Sequence, residues 1–302
     1  MKGNRPVAIA ISDLHLTLHP PAARGEGMDE WRKVQRKYLW LVDKLASKYE
    51  IPVLIAGDIF DRWNTPPELI NMAIDILPRW CITVPGQHDL PFHLKTAVER
   101  SGYGVLSKIT RIKDISGGKE VNPFPGVVIK GFGWGEEITP PERKGKLNIL
   151  LAHRYVWIEG KSYPGADEKC HLSRVENLHH YQVAVFGDNH KNFITKRGGT
   201  IVVNCGTFIR RRRDEIDCTP GIAVIFENGE VKRKKFDTSQ DQFVEESETK
   251  KIDIDEFIQD LHALSVSGVD FRTEVDRFLE ECEDERVKKM IMNIMEVAYG
   301  TE

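Results

Sequence analysis

Eight short runs of consecutive apolar residues punctuate the first two-thirds of the chain, at 7–11, 53–56, 82–84, 127–129, 149–152, 183–186, 201–203 and 222–226. Each has the length of a strand and, Thr83 apart, is apolar throughout, the pattern of strands covered on both faces. Between the first two lies a helical pattern over 29–48, where Trp31, Val34, Tyr38, Leu41, Val42 and Leu45 recur along one face. A second helix is predicted to begin at "TPPE": Thr65 is placed to cap, Pro66 suits the first turn and Glu68 completes a capping box. Strands alternating with helices predict a layered α/β domain.

The pattern changes near residue 237. The stretch "DTSQDQFVEESETKK" is polar and reads as a linker. Beyond it, three apolar stripes at helical spacing begin at Phe257, Phe271 and Val287. The expected division is a catalytic domain over 1–237, a linker over 238–251 and a small helical module over 252–302.

Composition narrows the class. An apolar fraction of 40% with 29% charged residues is that of a soluble globular protein, so no disordered or fibrous class is needed. The net charge of -3 gives no global attraction to polyanions, and any nucleic-acid contact must come from local patches. The apolar run before Ser12 is too short for a signal-peptide core and no later run reaches membrane-spanning length, so a cytoplasmic protein is expected. Five scattered cysteines without a C-x-x-C pair argue against a disulfide framework or a zinc ribbon.

Candidate chemistry sits where the strands end, which is where an α/β sheet places its ligand crevice. The first run leads into "SDLHL" with Asp13 and His15, and the second into "GDIFDRW" with Asp58 and Asp61. The third leads into "PGQHD" with Gln87, His88 and Asp89, a later one ends at His153, and another at "FGDNH" with Asp188 and His190. A single D-x-H or a lone histidine is more often structural. Five such clusters in one chain, each after an apolar strand, point to a metal centre.

In these motifs, "DLH", "GDIFD", "GQHD", "AHR" and "GDNH", the chain resembles the calcineurin-like metallophosphoesterase superfamily over roughly residues 7–227. The aspartate closing "GQHD", the stretch "VVNCGTFIRRRRDEIDCTPGIAVI" and the C-terminal appendage are similar to the SbcD-type DNA repair nucleases within it. The resemblance implies a four-layer α/β/β/α sandwich holding two divalent ions, Mn²⁺ first, with Mg²⁺, Fe²⁺ or Zn²⁺ as alternatives. One ion would be held by Asp13, His15, Asp58 and His190, the other by Asp58, Gln87, His153 and Asp188. A bridging water would be the nucleophile. His88 would be the general acid, with Asp61 orienting its ring and raising its pKa through a carboxylate partner.

Two residues depart from the family pattern, and both fall on the second ion: Gln87 replaces an asparagine and Asp188 a histidine. Glutamine is one methylene longer and aspartate reaches less far than a distal imidazole nitrogen, so the two changes are expected to compensate and to meet at one ion. The added carboxylate makes the site harder, favouring Mn²⁺ or Mg²⁺. The competing reading is a decayed second site.

Around the centre, Arg62 is either a phosphate contact or an exposed arginine at a helix start. Arg210, Arg211, Arg212 and Arg213 form a basic run, as do residues 232–235 ("KRKK"); such runs attract phosphates, or belong to a solvated loop or to an edge strand that lysines guard against aggregation. Trp134 offers a stacking surface, while Phe132 is expected in the core. Three functions follow: a metal-dependent DNA nuclease with an SbcC-like ATPase docked on the C-terminal helices, the resemblance implying a homodimer; a phosphatase or phosphodiesterase acting on a small molecule; or a binding subunit with an impaired metal site.

Overall fold

The computed structural model describes residues 4–244, with Leu279, Lys288 and Met292 beyond them; the rest of the linker and of the expected helical module lies outside the described residues. In chain order the elements are β1 (Pro6–Ile11), α1 (Met28–Tyr49), β2 (Val53–Ala56), α2 (Pro67–Ile76), β3 (Cys81–Val84), α3 (Gly102–Lys108), β4 (Lys113–Asp114), β5 (Glu120–Val121), β6 (Val127–Phe132), β7 (Leu147–His153), β8 (Val183–Gly187), β9 (Phe193–Arg197), β10 (Thr200–Asn204), β11 (Gly221–Phe226) and β12 (Val231–Lys235). All eight apolar runs are strands.

The strands form two six-stranded mixed sheets, ordered β12-β11-β1-β2-β3-β4 and β5-β6-β7-β8-β10-β9. In the first, β1, β2, β3 and β4 are parallel and β11 and β12 antiparallel additions. In the second, β6, β7, β8 and β10 are parallel, with β5 and β9 antiparallel at the edges. The strands missing from the sequence reading are β4, β5 and β9, short or half polar and at sheet edges; β12, the basic run at 232–235, is an edge strand, one of the readings offered for it. Lysines at 232, 234 and 235 are exposed along β12, where they discourage pairing with another chain.

Three apolar clusters explain the layering. Ala8, Ala10, Leu54, Ala56 and Val84 of the first sheet meet Ile129, Ile149, Leu151, Val185 and Val203 of the second. The other face of the first sheet packs Ile9, Ile11, Val53 and Ile55 under Trp31, Leu39, Val42, Met72 and Leu106 of the helices. Over the second sheet, Leu150, Ala152, Ala184 and Phe186 are covered by Val156, Leu172, Val175 and Leu178, carried on loops and single 3-10 turns. The sandwich fold is as expected, with that outer layer made of short turns.

Two details refine the sequence reading. Helix α2 is entered through Pro66 with no side-chain cap, because the Thr65 hydroxyl donates instead to Arg62 O at 2.9 Å. The first residues of the expected linker are bonded to the body: Gly25 N donates to Gln242 O, Val244 N to Ala23 O, and Asp241 accepts from Arg24 and Arg210. Among the described residues, no helix is long and apolar enough to cross a membrane, and the four described cysteines are free.

Candidate metal centre

The carboxyl ends of β1, β2, β7 and β8 meet, and the chain turns there in ways L-residues rarely adopt. Asp13, His15, Asp58 and Asp188 have φ of 52°, 42°, 52° and 76°. Left-handed backbone at non-glycine residues carries strain of about 1–3 kcal/mol each and persists where the surroundings over-determine it. Here hydrogen bonds do so: Asp188 N donates to Asp13 Oδ1 at 3.0 Å, Asp13 N to Gly57 O at 3.1 Å and His15 N to Asp58 O at 2.9 Å. Gly86 is required by space, since a Cβ there would lie 2.0 Å from Asp58 Oδ1.

The side chains converge around Asp58. Its Oδ1 accepts the His88 main-chain N–H at 3.0 Å, while its Oδ2 lies 3.7 Å from His15 Nε2 and 3.5 Å from His153 Nε2. Asp13, His15 and His190 bring one set of ligand atoms within 4.8 Å of one another, and Asp13, Asp58 and His153 another. Outer partners turn two rings inward: His153 Nδ1 faces Ala56 O at 2.6 Å and His190 Nδ1 faces Glu215 Oε1 at 2.8 Å, leaving each Nε2 for the centre. Gln87 and Asp188 meet, with Gln87 Nε2 donating to Asp188 Oδ1 at 2.7 Å and Gln87 Oε1 lying 2.6 Å from His153 Nε2.

The electrostatics are those of a site built for cations. Burial pushes the carboxyls of Asp13 and Asp58 above the usual range. Burial pushes the His153 ring down, but Asp58, Asp13 and Asp188 outweigh it and hold it up at about 9. Burial, with Arg211 and the neighbouring histidines, drives His15 far down and leaves a neutral ring. Both His15 ring nitrogens and Asp58 Oδ2 are buried without a hydrogen-bond partner. Orphaned buried polar atoms are rare in native proteins; His15 Nε2 and Asp58 Oδ2, 3.7 Å apart, are a pair that a divalent ion would satisfy, while His15 Nδ1 lies towards Asp61. The donor set fits two such ions.

The family description "Calcineurin-like phosphoesterase" matches residues 7–192, most of the described body. The chain belongs to this family. A comparison with curated proteins gave no match. Among solved structures, this phosphoesterase is similar to a novel archaeal phosphodiesterase (12% identity, TM-score 0.39, covering 76% of this chain and 99% of that one). It is also similar to a dimetal phosphatase from Danio rerio (14%, 0.46, 76% and 96%) and to a putative 5'-nucleotidase from Staphylococcus aureus (10%, 0.48, 84% and 57%).

Other residues of the phosphoesterase fall less simply. His88 stands edge-on to His15, ring centroids 4.8 Å apart, but its Nδ1 faces the main-chain carbonyl of Asp61, at 2.7 Å. The Asp61 carboxylate instead accepts from Arg211 Nη1 at 2.5 Å and lies 3.6 Å from His15 Nδ1. The expected carboxylate-raised pKa is therefore corrected: burial lowers His88, and the Asp61 contact offsets this only in part. Its proton is held less tightly than by a free imidazole.

The arginine run divides. Arg210 is committed to Asp241, Ile216 O and Thr238 O, and Arg211 is buried against Asp61, so neither is a free phosphate contact. Arg213 is exposed and donates to Val244 O, while Arg62 and Arg212 are exposed. Phe132 is buried in the core. The sequence reading missed Glu215, which also accepts the main-chain N–H groups of Arg211 and Arg212. Burial would raise its pKa, but the bonds from His190 and Arg211 bring it below the usual value. Asp89, a motif match without an assigned role, is wholly buried and accepts from the N–H groups of Gly86, Ile59 and Phe60, tying the loops after β2 and β3 together.

Proposed function

We propose that this phosphoesterase is a two-metal phosphodiester hydrolase acting on DNA in the manner of the SbcD-type nucleases. The observation that carries the two-metal reading is Asp58 Oδ2, orphaned and within 4 Å of histidine nitrogens from both sheets. Asp13, His15, Asp58 and His190 would hold one ion, and Asp58, Gln87, His153 and Asp188 the other. Bound divalent ions supply Lewis-acid polarisation of a phosphoryl oxygen and lower the pKa of water.

The chain's own residues do the remaining work. Glu215, Ala56 O and the Gln87–Asp188 bond fix the ligand rings and carboxylates, so little reorganisation is needed when phosphate arrives. His88 donates from Nδ1 to the Asp61 carbonyl, so its Nε2 would pass a proton to the leaving oxygen from the imidazolium form, which the lowered pKa makes a readier donor but a less populated one. Exposed Arg62 and Arg212 supply positive charge for a polyanionic substrate. Asp188 and Gln87 are oxygen donors suited to Mn²⁺ or Mg²⁺. The same reading includes a cytoplasmic setting, a homodimer and an SbcC-like ATPase bound by the C-terminal segment.

The test is degradation of linear double- and single-stranded DNA in Mn²⁺ and in Mg²⁺, run beside nitrophenyl phosphate esters. DNA degradation that disappears with His88→Ala supports the nuclease reading. Ester turnover with DNA untouched would replace it by a small-molecule phosphoesterase, and inertness towards both by a binding subunit.

A further inference from the structure

Three loops beside the centre carry aromatic rings that the metal chemistry leaves unused. Trp63 follows β2, Phe92 and His93 follow β3, and Trp134 follows β6. The rings meet in two pairs: Trp63 with Phe92 at 5.3 Å between centroids, and His93 with Trp134 at 5.4 Å, tilted by 49° and 42°. His88 and Phe92 are four residues apart, which limits their Cα separation to about 14 Å, the scale of a nucleotide and its neighbour.

Burial does not account for this arrangement. Phe92 is 65% exposed and Leu94 55%, although Leu90, just before them, is 1% exposed. Phe92 and His93 have φ of 52° and 59° in succession, a conformation bulky L-residues seldom take once, let alone twice. The loop is pinned in it by His93 N donating to Leu90 O at 3.0 Å and Leu94 N to Pro91 O at 2.9 Å. The facing wall is pinned too, with Trp134 N donating to Pro85 O at 2.9 Å and Lys95 paired to Glu136 at 3.5 Å. Backbone strain that holds a phenyl ring in water, beside a catalytic centre, points to a ligand for that ring.

We infer that Trp63, Phe92, His93 and Trp134 form a stacking subsite for an unpaired nucleobase on the leaving-group side of the scissile phosphate. This rests on the DNA reading above. The side follows from the chain: the ring-bearing loop is the continuation of the loop that carries His88, the proton donor to the leaving oxygen. Phosphate charge is met nearby by exposed Arg62, next to Trp63. Aromatic faces stack on any base, so the subsite discriminates by pairing state rather than by sequence. Bases stacked within a duplex present no free face, and single strands or frayed ends are the favoured substrates.

The test compares two short single-stranded phosphorothioate oligonucleotides, one with ordinary bases and one abasic throughout, by fluorescence anisotropy. Wild type should bind the base-bearing strand about 10-fold more tightly. The double substitution Phe92→Ala with Trp134→Ala should abolish that preference while leaving affinity for the abasic strand unchanged. Phe92→Tyr should retain the preference. Phe92→Ala alone removes a mostly exposed ring and should leave the melting temperature unchanged, which separates loss of stacking from loss of fold. Equal binding of both strands by wild type, or equal weakening of both by the double substitution, overturns the inference. A wild-type protein that prefers bases yet degrades no DNA keeps the subsite and refutes the nuclease reading.

Discussion

Removal of the Glu215 carboxylate probes how the outer partners hold the proposed metal ligands. Glu215 is 1% exposed, lies 2.8 Å from His190 Nδ1 and accepts two main-chain N–H groups, at 2.6 and 3.1 Å. Loss of such an outer partner costs about 10–100-fold in metal affinity, roughly 1.4–2.7 kcal/mol. The two stranded amides add about 2–6 kcal/mol to the destabilisation of the metal-free protein in Glu215→Ala. At a Mn²⁺ concentration 100 times the wild-type Kd, ligand linkage stabilises wild type by about 2.7 kcal/mol and the variant by only about 0.4–1.4 kcal/mol. Thermal melts with and without Mn²⁺, at about 2–4 °C per kcal/mol, should therefore show a lower metal-free Tm and a smaller Mn²⁺ increment. Because the Glu215 pKa is lowered by folding, its contribution is fully present above the ordinary carboxylate range and is lost as pH falls through the lowered value. Glu215→Gln should accordingly be penalised less under acid conditions than at pH 7. An unchanged Mn²⁺ increment in Glu215→Ala would refute the reasoning.

Four further outcomes are expected. Gln87→Asn and Asp188→His should each weaken the second ion about 10-fold, and their double variant should recover part of the loss, giving a coupling energy of about 1 kcal/mol or more in calorimetric titrations; strict additivity would show that the two residues do not act on one ion. Metal binding at pH 7 should release protons, that of His153 among them, because His153 is protonated below about 9 and must be neutral to ligate; affinity should then rise with pH towards that value, and buffer-independent binding enthalpy would contradict it. Gly86→Ala, whose Cβ would press on Asp58, should lower unfolding stability by about 1–3 kcal/mol and disturb metal binding, as denaturant curves and metal titration would register. Arg211→Ala should unpair a part-buried Asp61 and weaken metal binding, with Arg211→Lys restoring less than half of the loss because a single ammonium cannot reproduce the guanidinium fork.

Much of the fold was legible because its strands are covered on both faces, and such strands write themselves as unbroken apolar runs. The edge strand β9 was not, since it is half polar, and the almost wholly basic β12 was legible only as one of several readings; their pairing is decided by the neighbours β10 and β11. The candidate ligands stood out because each follows a strand closely. Glu215 lies 25 residues beyond His190 in a polar loop with no periodicity, where nothing marks one acid among several. Residue identity also does not say which atom acts: Asp61 holds His88 through its main chain and Arg211 through its carboxylate. Four successive arginines looked equivalent, yet an irregular backbone sends Arg210 and Arg211 inward and leaves Arg212 and Arg213 outside.

The loop that supports the centre is itself fastened from far along the chain. Arg24 and Arg210 share the Asp241 carboxylate, and the next residue after Arg210 grips Asp61. During synthesis, every candidate metal ligand up to His190 leaves the ribosome before Asp241 does. A nascent chain at that stage has its ligands but lacks the carboxylate that fastens their supporting loop. Full support of the hydrolytic centre thus arrives with its last anchor, late in translation, and incomplete chains that stop short of residue 241 are left with Arg24 and Arg210 lacking that shared partner.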